Sequence, residues 1–179
     1  MEFSVSDDAP FPRDLVFRTH RDEFERIAPR LPEVDRVALK SQSTAADGTI
    51  EQKHEWFGHP SALPFLIRPL VPPEMLRWFG HTKWNPKTFV CTWTVEVPAL
   101  GPMADISGSQ AYVETPTGCR IDLEGRFDFH PERVPQLKLP PGARPVVERF
   151  VVALIVPLMQ KSAGAVVEHL RSTGASPTP

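Results

Sequence analysis

At 179 residues with 41% hydrophobic side chains, the chain is long enough to bury one sizeable core and too short for two ordinary domains. Its formal charge of −2, with scattered basic residues, lacks the basic footprint of a nucleic-acid binder and excludes DNA and RNA as expected partners. Residues 1–59 carry 8 Lys/Arg against 12 Asp/Glu and residues 131–179 carry 6 against 3, so the C-terminal end is mildly basic, compatible with transient contact with an anionic membrane surface but well short of a polybasic cluster.

Met1-Glu2-Phe3, with Asp7 and Asp8 close behind, has neither the basic nor the apolar region of a secretory signal. Residues 2–7 read as a short extended segment. Beyond Pro10 and Pro12, Leu15, Val16, Phe24 and Ile27 recur at helical spacing and predict one or two short helices, ended by Pro29 and Pro32 because an interior proline loses a backbone hydrogen bond and clashes with the preceding turn.

From Val34 the period changes to two, the signature of half-buried strands. Val37 and Leu39 mark one strand over 34–43, and Ile50, Gln52, His54 and Trp56 share a face of the next, over 50–57; Asp47-Gly48 between them predicts a hairpin turn. Over 87–97, Phe89, Cys91, Trp93, Val95 and Val97 oppose Thr88, Thr92, Thr94 and Glu96. Over 119–129, Cys119, Ile121, Leu123, Phe127 and Phe129 oppose Arg120, Asp122, Glu124, Arg126 and Asp128, a charged face that reads as solvated. Thr117-Gly118 separates this strand from one near 107–115. The expected sheet is an antiparallel meander covered on one side.

Residues 60–86 are apolar but broken by six prolines, and read as short helical turns over the open edge of the sheet, as a lid or a packed insertion. The covering element runs from about Pro145 to Arg171, with Phe150, Leu154, Met159, Val166 and Leu170 among residues at three- and four-residue spacing. Pro157 is expected to kink it. The apolar run Phe150–Met159 is about half of what spans a bilayer. Residues 1–171 are expected to form the domain, and 172–179, rich in Ser, Thr and Pro, a disordered tail.

Chemistry-bearing motifs are sparse. There is no Gly-rich phosphate loop, nucleophile elbow or C-x-x-C pair. His54-Glu55-Trp56-Phe57-Gly58-His59 has the wrong spacing for a zincin, since two histidines five apart share neither a helical nor a strand face. No metal, cofactor or catalytic residue is expected. Cys91 and Cys119 read as small buried hydrophobes in a reducing compartment, which favours the cytoplasm. Among the six histidines His54 alone is expected to face inward, either as a satisfied core residue or as a contact for a ligand's polar end.

The order of elements, a first strand, short helices between Pro12 and Ile27, a meander and a long C-terminal helix, resembles the START-like (helix-grip, SRPBCC) superfamily, which includes lipid-transfer domains, pollen-allergen-type carriers, polyketide cyclases and many bacterial members. This implies an α+β fold in which a curved antiparallel sheet of about seven strands wraps a long C-terminal helix, with two short helices after the first strand. Phe11-Pro12, Leu31-Pro32-Glu33-Val34, the Gly48 hairpin and Trp84-Asn85-Pro86 are similar to segments of PRELI-type phospholipid-transfer proteins, which implies a lipid in the groove.

A strongly curved sheet beneath one helix leaves space for an apolar ligand. The expected function is binding, and transport, of a hydrophobic small molecule or lipid, with Gln52, His54, Trp56, Cys91, Trp93, Leu123, Phe127, Phe150, Leu154 and Met159 as the binding residues. The alternatives are a cyclase or dehydratase using His54 as acid or base, with Gln52, Ser41 or Ser109 as a second polar group, and a pocketless interaction domain.

Overall fold

The computed structural model describes residues 1–62, 68, 73–134 and 142–178, with the backbone alone at 62, 75, 143, 146, 147, 150, 153–155, 157 and 160. The chain begins with β1 (Glu2–Ala9), followed by α1 (Arg13–Asp22) and the short α2 (Phe24–Ile27). Six strands follow: β2 (Val34–Thr44), β3 (Ile50–Gly58), β4 (Arg77–Asn85), β5 (Val90–Glu96), β6 (Ala104–Thr115) and β7 (Gly118–Phe129). The last element is α3 (Ala143–Ser172), whose backbone stays helical through position 157. The strands form one antiparallel sheet in the order β1-β7-β6-β5-β4-β3-β2. The meander runs unbroken from β2 to β7, and β1 closes on β7. This is the expected curved seven-stranded α+β architecture.

The local chemistry is visible at each junction. Gly48 has φ +90° in the β2–β3 turn, with the Ala45 N–H donating to Thr49 O at 2.8 Å and Asp47 Oδ1 accepting from the Thr49 N–H at 2.8 Å. On α1 the buried stripe is Val16, Phe17, Thr19 and His20, and Phe24 and Ile27 continue it on α2.

Three sequence-based expectations are corrected. The last part of the 60–86 segment is not a set of helical turns over the sheet edge but β4, an interior strand between β3 and β5. The 3₁₀ turns at Pro60–Ala62 and Pro73–Leu76 are of the expected kind, while Leu63, Phe65, Leu66 and Ile67 lie outside the described residues. Second, β5 begins at Val90, because Asn85 turns the chain: its side-chain carbonyl accepts from the Lys87 and Thr88 amides at 2.9 and 3.2 Å. Phe89 follows at φ +55°. Third, Leu39 is not buried as Val37 is, although the two stand in unbroken register opposite His54 and Trp56. β2 is the edge strand of the sheet, and its register with β3 slips just past Leu39, between Leu39 and Ser41; Val37 is buried and Leu39 exposed. Beyond α3 the chain makes contacts up to position 178. Ala175 packs against the core and the Thr178 amide donates to Pro10 O at 3.0 Å.

The core has two parts. One joins α1, α2 and the C-terminal half of α3 to the sheet through Phe11, Phe17, Ile27, Leu31, Trp84 and Val166. The other gathers Trp93, Ile106, Leu123, Phe127 and Phe129 beneath Val151, Val152 and Met159. In the second part the Trp93 indole lies against Gly108, where an added Cβ would come within 2.3 Å of the ring and 2.2 Å of Glu124 O. Gly108→Ala is therefore expected to cost about 1–3 kcal/mol, the usual penalty for overpacking; urea denaturation reads it, and an unchanged midpoint would show that the sheet yields there. No helix among the described residues is long and apolar enough to cross a membrane.

Candidate functional site

At the seam between the two core parts is a cavity of about 100 Å³. Its walls are drawn from several elements: His20 and Phe24 from α1 and α2, His54 and Trp56 from β3, Trp84 from β4, Cys91 and Trp93 from β5, and Leu158, Met159 and Ser162 from α3. The aromatic wall is ordered by ring contacts. Trp56 stacks on Trp78 at 5.8 Å and 17° and tilts against Phe24 at 5.1 Å. His20 lies flat on Phe24 at 5.2 Å and 22°.

His54, Trp56, Cys91, Trp93 and Met159, all singled out from the sequence, come together on this wall. Gln52 is buried beside them but does not line the cavity; its amide donates to Arg21 O at 3.1 Å and to Gln42 Oε1 at 2.8 Å. Leu123 and Phe127 lie in the second core part. The side chains of Phe150 and Leu154 lie outside the described residues. Of the polar partners considered for an enzyme, Ser41 is exposed and Ser109 lies on a groove of the sheet's other face, beside Ser107 and Glu124. The inward polar groups are instead Thr82, Gln110 and Ser162.

The expectation that His54 alone faces inward is also corrected, because His20 is buried and lines the same cavity. Its Nδ1 is 2.6 Å from the Tyr112 hydroxyl and its Nε2 3.1 Å from Ser162 Oγ. The signal was present in the sequence: His20 follows Val16 by four residues and precedes Phe24 by four, on the apolar stripe of α1 and α2.

Burial, reinforced by the nearby His54, lowers the His20 pKa to about 4. Burial also lowers that of His54, with Glu25 pulling the other way. Burial raises that of Tyr112 far above the phenol range, with Cys91 and Cys119 adding to the shift. Both histidines and the tyrosine are therefore neutral at pH 7, as expected where the charged form would lose its hydration. The Cys91 thiol is likewise pushed up by burial and is no nucleophile at neutral pH. Of the His54/His59 pair, His54 is buried, whereas His59 is exposed with its Nδ1 2.7 Å from Ser61 Oγ.

A curved antiparallel sheet gripping a C-terminal helix, with a cavity between them, defines the helix-grip fold. The TTHA0849 protein of Thermus thermophilus superposes with a TM-score of 0.69 at 14% identity, covering 98% of this chain and all of the other. The Zhui aromatase/cyclase of Streptomyces sp. R1128 does so at 0.67 and 16%, covering 98% of each chain. The di-domain ARO/CYC protein BexL gives 0.63 at 16%, covering 94% of this chain and 49% of its own. At these identities the likeness shows the fold alone, and these three lend no support to the narrower PRELI resemblance. No protein-family profile matches the sequence, and no curated protein is similar to it.

Proposed function

We propose that the protein binds a compact hydrophobic molecule, about one ring in size, in the cavity between the sheet and α3. The observation that carries this reading is a partly open, aromatic-walled cavity into which only a few polar side chains converge, the usual form of a small-molecule site. Its volume of about 100 Å³ sets the scale, since an apolar cavity of about 150 Å³ takes up benzene. A long acyl chain exceeds this space, so the reading narrows from lipid to ring-sized ligand. The same volume, well above that of a single water, argues against a filled-core interaction domain. His54, Trp56, Cys91, Trp93 and Met159 are the proposed ligand contacts, joined by His20 and Ser162.

The test is ¹⁹F NMR of fluorobenzene titrated into the purified protein, with Leu158→Phe as the cavity-filling control. The expected result is a shifted, exchange-broadened resonance that Leu158→Phe abolishes while the circular dichroism spectrum is unchanged. An unperturbed resonance with the wild-type protein at millimolar probe would sink the reading.

A second reading, an enzyme acting on an apolar substrate in the same cavity, is favoured by the buried Tyr112–His20–Ser162 chain and by the fold neighbours that are aromatase/cyclases. On this reading the neutral imidazole of His54 serves as the general base.

A further inference from the structure

From the hydrogen bonding around His20, we infer that Ser162 presents a hydroxyl proton to the cavity and that the ligand is selected for an acceptor oxygen, such as a ketone, placed against it. This rests on the proposed function and names the chemistry of the ligand.

Tyr112 is 2% exposed, and its hydroxyl meets a single partner among the described residues, His20 Nδ1 at 2.6 Å. If Nδ1 carried the imidazole proton and donated to the phenol oxygen, the phenol O–H would be left buried without an acceptor, the arrangement folded proteins avoid. Tyr112 therefore donates to Nδ1. A neutral imidazole has one N–H, so the proton of His20 sits on Nε2 and is donated to Ser162 Oγ at 3.1 Å. Ser162 Oγ then acts as acceptor toward His20. Its own proton has no partner among the described residues, not even the carbonyl one turn back on α3 that a helical serine commonly uses.

Two further side chains make the site polar on the ligand's side. His54 and Gln110 are each 8% exposed, line the same cavity, and make no hydrogen bond among the described residues. A pure hydrocarbon would leave all three groups unmatched. A ligand with an oxygen at the Ser162 end satisfies the directed donor, and His54 and Gln110 can each donate to or accept from a second polar group. Specificity of this kind comes from the cost of an unmatched buried partner rather than from apolar contact.

The test compares cyclohexanone with methylenecyclohexane, which share shape and differ in C=O against C=CH₂, by calorimetric titration of the wild-type protein, Ser162→Ala and Tyr112→Phe. The ratio of ketone to hydrocarbon affinity is expected to fall about 3- to 10-fold in Ser162→Ala, the range of one hydrogen bond. It should fall in the same direction in Tyr112→Phe, where His20 is free to change tautomer. Should Ser162→Ala not fold, the ¹³C carbonyl resonance of cyclohexanone bound to the wild-type protein decides: a downfield shift from its value in an apolar solvent is expected, and its absence overturns the inference. An unchanged ratio in Ser162→Ala overturns the inference and leaves the binding function standing. Failure of both compounds to bind the wild-type protein overturns both.

Discussion

Replacing Phe17 by alanine is expected to cost about 3–5 kcal/mol, the range for removing a buried aromatic ring, and to lower the melting temperature by about 10 °C for a chain of this size. Phe17 is 1% exposed and meets Trp84, Phe89 and Tyr112 edge-on at 5.4, 5.3 and 5.2 Å. Each such pair adds about 0.5–1.5 kcal/mol beyond simple burial. These contacts seat α1 on β4, β6 and the turn before β5 together, so no single neighbour can close the void. The same change loosens Tyr112, and through it the orientation of His20, so ligand affinity should fall along with stability. Urea denaturation of Phe17→Ala checks the first part. A loss below about 1 kcal/mol would show that α1 is held by other contacts.

The second large effect is acid sensitivity between pH 7 and 5. The native pKa of His20 is about 4 against an ordinary 6.5, so below pH 6.5 the unfolded chain takes up a proton that the native state does not. The group's contribution is fully present above pH 6.5 and is lost as pH falls toward 4. At about 1.4 kcal/mol per pH unit, the loss is about 2 kcal/mol by pH 5 and about 3 kcal/mol by pH 4. His54, lowered by its own burial, acts in the same direction. The paired carboxylates Glu55, Asp105 and Asp122, held low chiefly by Arg77, Arg133 and Arg120 respectively, with burial opposing the shift most strongly at Glu55, release their contributions at lower pH, so the window from 7 to 5 isolates the histidines. The measurement is urea denaturation at both pH values for the wild-type protein and His20→Gln. The slope should be much reduced in the variant, whatever its absolute stability. Equal slopes would mean that His20 can be protonated without disturbing the fold.

Much of the architecture was legible because half-buried strands must alternate. Cys119, Ile121, Leu123, Phe127 and Phe129 declare β7, and Gln52, His54 and Trp56 declare the inward face of β3. β4 was not legible, for a reason the structure supplies. Its inward positions are Trp78, Gly80, Thr82 and Trp84, and Gly80 is where an added Cβ would come within 3.0 Å of Trp56 Nε1. The close approach that makes β4 fit removes the apolar residue that would have announced it. Leu39 misled for a different reason: it keeps the period of Val37 but lies further along the edge strand, where it is exposed.

The sequence by itself determined the class of fold, the order of the helices and of every strand but β4, and five of the residues on the cavity wall, because periodicity and turn chemistry act over a few neighbouring residues. Only the tertiary structure decided what those residues enclose. It divided Leu123 and Phe127 from Trp56 and Cys91 by splitting the core in two, and left between the halves a space of ring size. It also turned His20, a polar letter on a helix, into the centre of a buried chain, by bringing Tyr112 from 92 positions away and Ser162 from 142. Those contacts depend on how the sheet curves around α3, and the proton direction they impose exists only once all three side chains have lost water.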